Sequence, residues 1–476
     1  MTITRTSERQ AESCDLLIVN GYVISMDSER TIYPRGAIAI SGRNIVAVGD
    51  EADVTARFRV TRTLDAQGGP VHPGFVDCHV HLMLTARGAF PDTLPFERST
   101  FFYTQWRNAL DPEEEYEACL LSCLELINNG VTCFMEAGTV LEPDVAAAAA
   151  EAVGIRGLLG DPYLWDVEGL SKEASIKRAP VNRARALKLL GGQLKRNTNP
   201  HTLVRGYVAL NGDGTASDEL MKAAKECADR AGVVLSQHQS FSLSDVQVDD
   251  KRFGEHAFVH FDRIGVLGKN CTFTHVNVLR EDEVPRVVGS GMSITWCPSS
   301  CMVWGIGGTF RGRHAELHRG GTTIALGSDS ANSCGRFDPS FQACLAVLTA
   351  KEKSRNRHML TFEDGLEMAT VAGARAAGLA DMMGSLEPGK RADIVIRSVV
   401  LPEAQPGLDA VQSLIFSAGS KSVDTVLVDG QIVLKDGRST RMDEDAAYCR
   451  ARLSARRLLD KIGFHREYAW PSRGRA

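Results

Sequence analysis

Between Val71 and about Met382, short β-rich runs alternate with helical stretches eight times, and no other regularity in this 476-residue chain restricts its fold as strongly. One run leads into His79, and the others fall at 131–135, 155–159, 204–210, 233–237, 271–274, 292–296 and 322–326. The intervening helices carry their own signals. Asp111-Pro112 followed by three glutamates supplies a cap, a first-turn proline and acids at the positive end of the dipole, and Gly130 is the stop. Eight strand and helix units predict an α/β fold, a (β/α)8 TIM barrel over 71–382, whose chemistry lies at the C-terminal ends of its strands.

The two ends of the chain differ from this middle. Runs at 16–19, 37–40 and 45–48 are punctuated by Asn20-Gly21 and Ser41-Gly42-Arg43-Asn44, and read as hairpins. The same texture returns at 392–396, 424–428 and 431–434, with Asp429-Gly430 as a turn. The expectation is a small discontinuous β-sandwich domain built from 14–70 and 383–460, with 1–13 a disordered tail and 461–476 a C-terminal tail.

Lysine plus arginine number 54 against 59 aspartates and glutamates, a formal charge of −5 with no basic stripe, which argues against nucleic acid as a partner. Twelve scattered cysteines form no Cys-x-x-Cys pair and read as reduced, mostly buried thiols. The polar start MTITRTSERQAES lacks a signal-peptide core, and no apolar run approaches about 18 residues. A soluble, cytoplasmic protein without a membrane partner is expected.

The polar residues at the strand ends then become specific. His79 and His81 are separated by one residue on a strand, so their side chains point the same way and can meet one ion. Glu136 follows the second strand, and Asp161, Tyr163 and Trp165 the third. Asn211 follows the fourth, His238 ends the fifth, His275 the sixth, and Asp329 the eighth within Gly327-Ser328-Asp329-Ser330. Imidazole suits zinc and its divalent neighbours, so four histidines and an aspartate on one rim point to a metal site. His72, His201, His256, His260, His314, His318 and His358 lack this placement and read as solvated or structural. Cys297 and Cys301 flank a turn, but a metal-activated water would make a thiol nucleophile unnecessary.

The order His-x-His, His, His, Asp resembles the amidohydrolase superfamily. The blocks DLLIVNGYVISMD, HPGFVDCHVHL, ALGSDSAN, ATVAGARAAGL, GSLEPGKRADIVI and DTVLVDGQIVLKDGR resemble its characteristic segments in the expected order. The branch resembled contains adenosine-type deaminases and triazine chlorohydrolases, and the chain looks most like phenylurea hydrolases and thiocarbamate (molinate) hydrolase. The resemblance implies a homodimer or larger homo-oligomer. It also implies one divalent ion, since the fourth strand supplies no bridging lysine; zinc comes first, with cobalt, iron or manganese as other occupants. The expected ligands are His79, His81, His238 and Asp329, with His275 a fifth ligand or a hydrogen-bond partner of the bound water, and Asp329 or His275 accepting its proton. In the deaminase-like members a glutamate stands three residues after the fifth-strand histidine, to shuttle protons to a ring nitrogen. Here that residue is Phe241, with Glu136 as a substitute acid to consider.

Loss of the shuttle argues against attack on an aromatic heterocycle and for attack on a carbonyl, whose oxygen a metal polarises directly. The expected activity is therefore hydrolysis of a carbonyl C–N bond in a small, aryl-bearing amide, urea or (thio)carbamate such as a phenylurea xenobiotic. The alternative is a deaminase or dehalogenase of a purine, pyrimidine or s-triazine ring. Phe90, Phe96, Phe101, Phe102, Tyr103 and Trp106 crowd the loop after the first strand, where pockets and lids are built. Trp106, Tyr103, Phe102, Trp165, Asn211 and Trp304 are the expected substrate-binding residues.

Overall fold

Eight parallel strands in chain order organise the centre of the protein. In the computed structural model, which describes residues 12–465 except 91, 92, 95 and 169–175, Phe75–Val80 pairs with Val131–Glu136, then Arg156–Leu159, then Val204–Gly206. The order resumes at Val208–Gly212 and continues through Leu235–Gln239, Cys271–His275, Ser293–Trp296 and Ile324–Leu326. A bridge between Val80 and Asp329 joins the eighth strand to the first, where the Asp329 amide donates to the His79 carbonyl (2.8 Å) and the His81 amide to the Asp329 carbonyl (3.2 Å). This brings the chemistry of both strand ends together. The strands are buried on both faces, which is why they read as nearly continuous apolar runs.

The fourth and fifth strands depart most from the sequence expectation. The fourth strand is split at Tyr207, whose amide donates to the Leu159 carbonyl (3.1 Å), while the next amide, Val208, donates to Val234 (3.1 Å). The chain changes partner there, from the third strand to the fifth. The fifth strand extends to Gln239 because His238 still pairs with Thr274 and Gln239 with His275. The helix Pro112–Asn128 carries the expected start, with Asp111 accepting from the Glu114 amide (2.9 Å) and Glu114 accepting in return (3.1 Å).

Both chain ends share one sheet. Its hydrogen-bonded order is Arg438–Ser439, Gln431–Lys435, Val423–Val428, Ile394–Arg397, Pro70–Pro73, Glu12–Ile24, Ile32–Ser41 and Asn44–Asp50, with Phe58–Asp65 also on Glu12–Ile24. The sequence expects a sandwich; the hydrogen bonding makes one nine-stranded sheet with apolar clusters around Ile18, Ile38 and Ile394 and around Leu17, Ala39 and Val54. Asn20-Gly21, expected to be a hairpin turn, is a bulge within a continuing strand. A Cβ on Gly21 would lie 2.7 Å from the Val71 side chain, so glycine permits this close approach rather than a reversal. Asp429-Gly430 does form its turn, both residues at positive φ (53° and 77°).

Residues 1–11 and 466–476 of the expected tails lie outside the described residues, and Glu12 already begins a strand. Residues 444–460, expected to belong to the β-rich end, lie in the last helix, Glu444–Lys461, which packs along Pro112–Asn128. There Arg450 pairs with Glu117 (2.8 Å) and Lys461 with Glu114 (2.7 Å). Among the described residues no helix is long and apolar enough to cross a membrane.

Buried charge ties the sheet to the ring of strands. Arg156, on the third strand, bonds Asp393 (3.1 Å) and Asp429 (3.3 Å). His72 is fully buried and not solvated; its Nδ1 donates to the Pro73 carbonyl (2.7 Å), and its Nε2 accepts from the Arg397 guanidinium (2.8 Å). Burial, reinforced by the Arg397 charge, holds His72 well below the usual imidazole range. The folded protein therefore keeps it neutral, while the unfolded chain takes up a proton below about pH 6.5. Its contribution is present above that pH and lost as the pH falls. Relative to His72→Gln, the wild type should lose about 1.4 kcal/mol per pH unit between pH 6 and 5. Urea unfolding of both proteins at pH 7, 6 and 5 checks this, and parallel curves would refute it.

Candidate metal centre

His79 lies within the first strand and His81 just past it, with ring centroids 4.9 Å apart and planes perpendicular. His238, on the fifth strand, brings its ring to 4.7 Å from His79 and 5.2 Å from His81, and His275 closes the group at 5.3 Å from His79. Asp329 places Oδ1 3.5 Å from His81 Nε2. Ligand-capable atoms of His79, His81 and His238 lie within 4.8 Å of one another, as do those of His79, His275 and Asp329. The structure thus brings all five rim residues together.

Hydrogen bonds decide which nitrogens carry protons. His238 Nδ1 lies 2.6 Å from the Asn211 carbonyl and must donate to it, which leaves Nε2 with a lone pair. Thr139 Oγ1 donates to Glu136 (2.6 Å) and therefore accepts from His81 Nδ1 (2.8 Å), so His81 Nε2 is also a lone pair. These two nitrogens face each other at 3.3 Å. Two lone pairs at that distance repel unless a cation lies between them. His79 Nε2 and His275 Nδ1 are buried with no hydrogen-bond partner among the described residues. A divalent ion fits this donor set, and satisfies nitrogens that would otherwise be costly to bury. Burial, with the neighbouring rings reinforcing it, pushes His79, His81 and His275 well below the usual range, which keeps them in the neutral form a metal requires.

Asp329 is held as an acceptor. Ser300 donates to its Oδ2 (2.6 Å) and the Ser330 amide to its Oδ1 (2.7 Å). Beneath the rim, burial pushes Asp77 up to about 7, and it accepts from the Ser328 amide (2.9 Å).

A cavity of about 200 Å³ opens onto His81, His238, His275 and Asp329. Of the expected substrate-binding residues, Tyr103, Asn211 and Trp304 line it. Trp106 and Trp165 do not, being 0% and 1% exposed in an apolar cluster with Met83 and Leu84. Their indole N–H groups donate to the carbonyls of Met83 (3.3 Å) and Ala179 (2.9 Å), so their polar edges are used for packing. Phe102 turns away to stack on Phe90 and meets Phe464 edge-on. The side chain of Phe96 lies outside the described residues.

Glu136 does not replace the missing acid. It is buried, outside the cavity lining, and accepts from the amides of Gly138 (2.8 Å) and Thr139 (3.0 Å) and from the Thr139 hydroxyl. Phe241 lines the cavity, its ring 4.7 Å from that of His275, and the carboxyl-bearing Asp213 and Asp245 line it as well. Sequence reasoning missed Thr139, Arg107 and Ser300. Thr139 sits only three residues beyond Glu136, and its relay becomes visible once the turn at Gly138 (φ 75°) folds it back. Arg107 lines the cavity from the helix Phe96–Ala109.

The ring of strands and the cluster of ligand-capable side chains at its rim fit an α/β, metal-dependent hydrolase. The chain belongs to the amidohydrolase family, whose model, described as "Amidohydrolase family", matches residues 71–433. It is 27% identical over 449 residues to a 5-methylthioadenosine/S-adenosylhomocysteine deaminase of Pelotomaculum thermopropionicum, covering 94% of this chain and 99% of that one. An adenosine deaminase of Xanthomonas campestris with bound zinc superposes with a TM-score of 0.86 at 26% identity, over 95% of this chain and all of that one. An atrazine chlorohydrolase of Arthrobacter aurescens, complexed with zinc, shares the fold with a TM-score of 0.83 at 22% identity, over 92% of this chain and 100% of that one. These similarities correct the closer resemblance drawn from sequence. They favour the deaminase and dehalogenase alternative over phenylurea and thiocarbamate hydrolases.

The Thr139 relay yields a prediction. Thr139→Val removes the acceptor that orients His81, and should weaken metal binding about 10- to 100-fold while leaving the fold intact. Competition for zinc with a chromophoric chelator, alongside thermal melting, measures it; unchanged affinity would show the relay to be incidental.

Proposed function

We propose that this chain is a mononuclear hydrolase that attacks a trigonal carbon with water and cleaves the carbonyl C–N bond of a small, aryl-bearing amide, urea or (thio)carbamate. The proposal takes 71–382 as a (β/α)8 barrel and 14–70 with 383–460 as a composite β domain. His79, His81, His238 and Asp329 would hold the ion, with His275 beside them, and zinc in the solved relatives supports zinc here. When bound, such an ion supplies a water acidic enough to deprotonate near neutral pH and polarises a carbonyl oxygen.

The chain's own residues do the rest. Asp329, whose two oxygens accept from the Ser300 hydroxyl and the Ser330 amide, accepts the proton of the attacking water. His275 is the second acceptor on the same rim, and proton return to the leaving nitrogen releases the amine. Tyr103 and Trp304, with ring centroids 6.2 Å apart, line the cavity together with Phe241 and favour an aryl group.

The single observation that carries this reading is Phe241. A ring nitrogen must be protonated as water adds to the adjoining carbon, and a phenyl group stands where a carboxyl would deliver that proton. A carbonyl needs no such delivery. The second reading is a deaminase or dehalogenase of a purine, pyrimidine or s-triazine ring, favoured by the activities named for the relatives.

Protein loaded with zinc or cobalt, offered an aryl urea, an anilide, a thiocarbamate, an aminotriazine and 5-methylthioadenosine, separates the two when aryl amine and ammonia are assayed independently. Amine release from the urea or anilide is the expected result. Ammonia from the ring substrates alone would replace it with the second reading, and His79→Ala should abolish either activity.

A further inference from the structure

His275 reaches the metal centre through an unusual backbone. Its φ is 76° and that of Val276 is 48°, two consecutive left-handed residues of which the second is β-branched. Such a turn persists only where its surroundings hold it. On one side the amides of Val276 and Asn277 donate to the carbonyls of Gln239 (2.9 Å) and Ser240 (3.0 Å), fastening it to the fifth strand. On the other side pairing with the seventh strand ends at Thr274, which leaves the His275 carbonyl beyond the ladder. There it meets His314 Nε2 at 2.6 Å.

We propose that His314 is a positioning residue, whose Nε2–H clamps the His275 carbonyl and so keeps the His275 imidazole turned toward the metal centre. A carbonyl only accepts, so the proton lies on Nε2. His314 is 2% exposed, so no solvent competes for that N–H. The ring lies flat on Trp296, with centroids 4.6 Å apart and planes within 2°, which fixes the direction of that N–H. Its other edge fits against Gly312, where a Cβ would come within 2.5 Å of Cε1. Trp296 ends the seventh strand and His314 begins the helix His314–Arg319, so the clamp transfers the rigidity of the next strand to the turn. His314 is therefore more than the solvated or structural histidine its place in the sequence suggests.

The inference rests on the metal-dependent reading above, and is tested by binding of Co(II) alone. His314→Phe keeps a flat ring on Trp296 and loses the donor; His314→Gln keeps an N–H donor without the ring. Co(II) affinity, from competition with a chelator, and the visible d–d spectrum are recorded with thermal melting. The Phe variant should melt cooperatively yet bind Co(II) about 10- to 100-fold more weakly with an altered band, and the Gln variant should return to within about threefold of wild type. A folded Phe variant with wild-type affinity and spectrum, or a Gln variant as weak as Phe, would overturn the assignment. Should the Phe variant fail to fold, the Gln variant decides alone: wild-type-like binding supports the clamp, and a loss beyond about tenfold overturns it. If no substrate is turned over but Co(II) affinity still falls in His314→Phe, the clamp stands and only the catalytic reading fails.

Discussion

The confrontation of two imidazole lone pairs, His81 Nε2 and His238 Nε2 at 3.3 Å, is the constraint on which the rest of the centre depends. Neither ring is free to avoid it. The Asn211 carbonyl fixes the tautomer of His238, and the Glu136–Thr139 relay fixes that of His81. Turning either ring would cost a buried N–H its acceptor, the Asn211 carbonyl for His238 or the Thr139 hydroxyl for His81. Hydrogen bonds that hold two lone pairs together favour a cation between them, and an ion held only by the folded state would add to stability as well as to chemistry.

The backbone reflects the same demand. Parallel strands place their side chains alternately up and down, so strand ends alone cannot aim five donors at one point. The protein solves this by leaving the ladder in left-handed conformations: Ser240 (φ 54°), His275 (φ 76°) and Asp329 (φ 67°) all depart this way. Each is held by bonds from a neighbouring strand, such as the Asp329 amide on the His79 carbonyl. Strain collected at one rim and supported by the ring around it is what keeps the donors pre-arranged.

Much of this was legible in the sequence, for a definite reason. The five donors could be found because parallel strands are apolar and short, so a polar residue that ends one is conspicuous; His79, His238, His275 and Asp329 all stand out against runs such as 271–274 and 322–326. The residues that hold them were not legible. Thr139 and His314 act through turns whose direction depends on tertiary bonds, and nothing local distinguishes His314 from the exposed His358. The aromatic residues misled for a related reason. Trp106 and Trp165 share composition with a pocket wall, but each indole N–H had a carbonyl in reach, so burial won. Asn20-Gly21 failed as a turn because a two-residue signal cannot reveal that Val71 lies across the strand from it.

Phe241 joins these strands of argument. In a cavity of about 200 Å³, its ring lies against His275 while the buried carboxyl of Glu136 is engaged below by Thr139 and Gly138. The wall it contributes is apolar where the resembled deaminases carry an acid, and under the proposed reading it would admit an aryl surface. Within a family whose named relatives include ring deaminases, this changes the demand placed on the substrate rather than on the metal. Under the proposed reading, a carbonyl compound would bring its own oxygen to be polarised and its own nitrogen to receive the returning proton, leaving the acid–base work to Asp329 and His275. Both are already held in place, Asp329 by Ser300 and Ser330 and His275 by the turn that His314 closes.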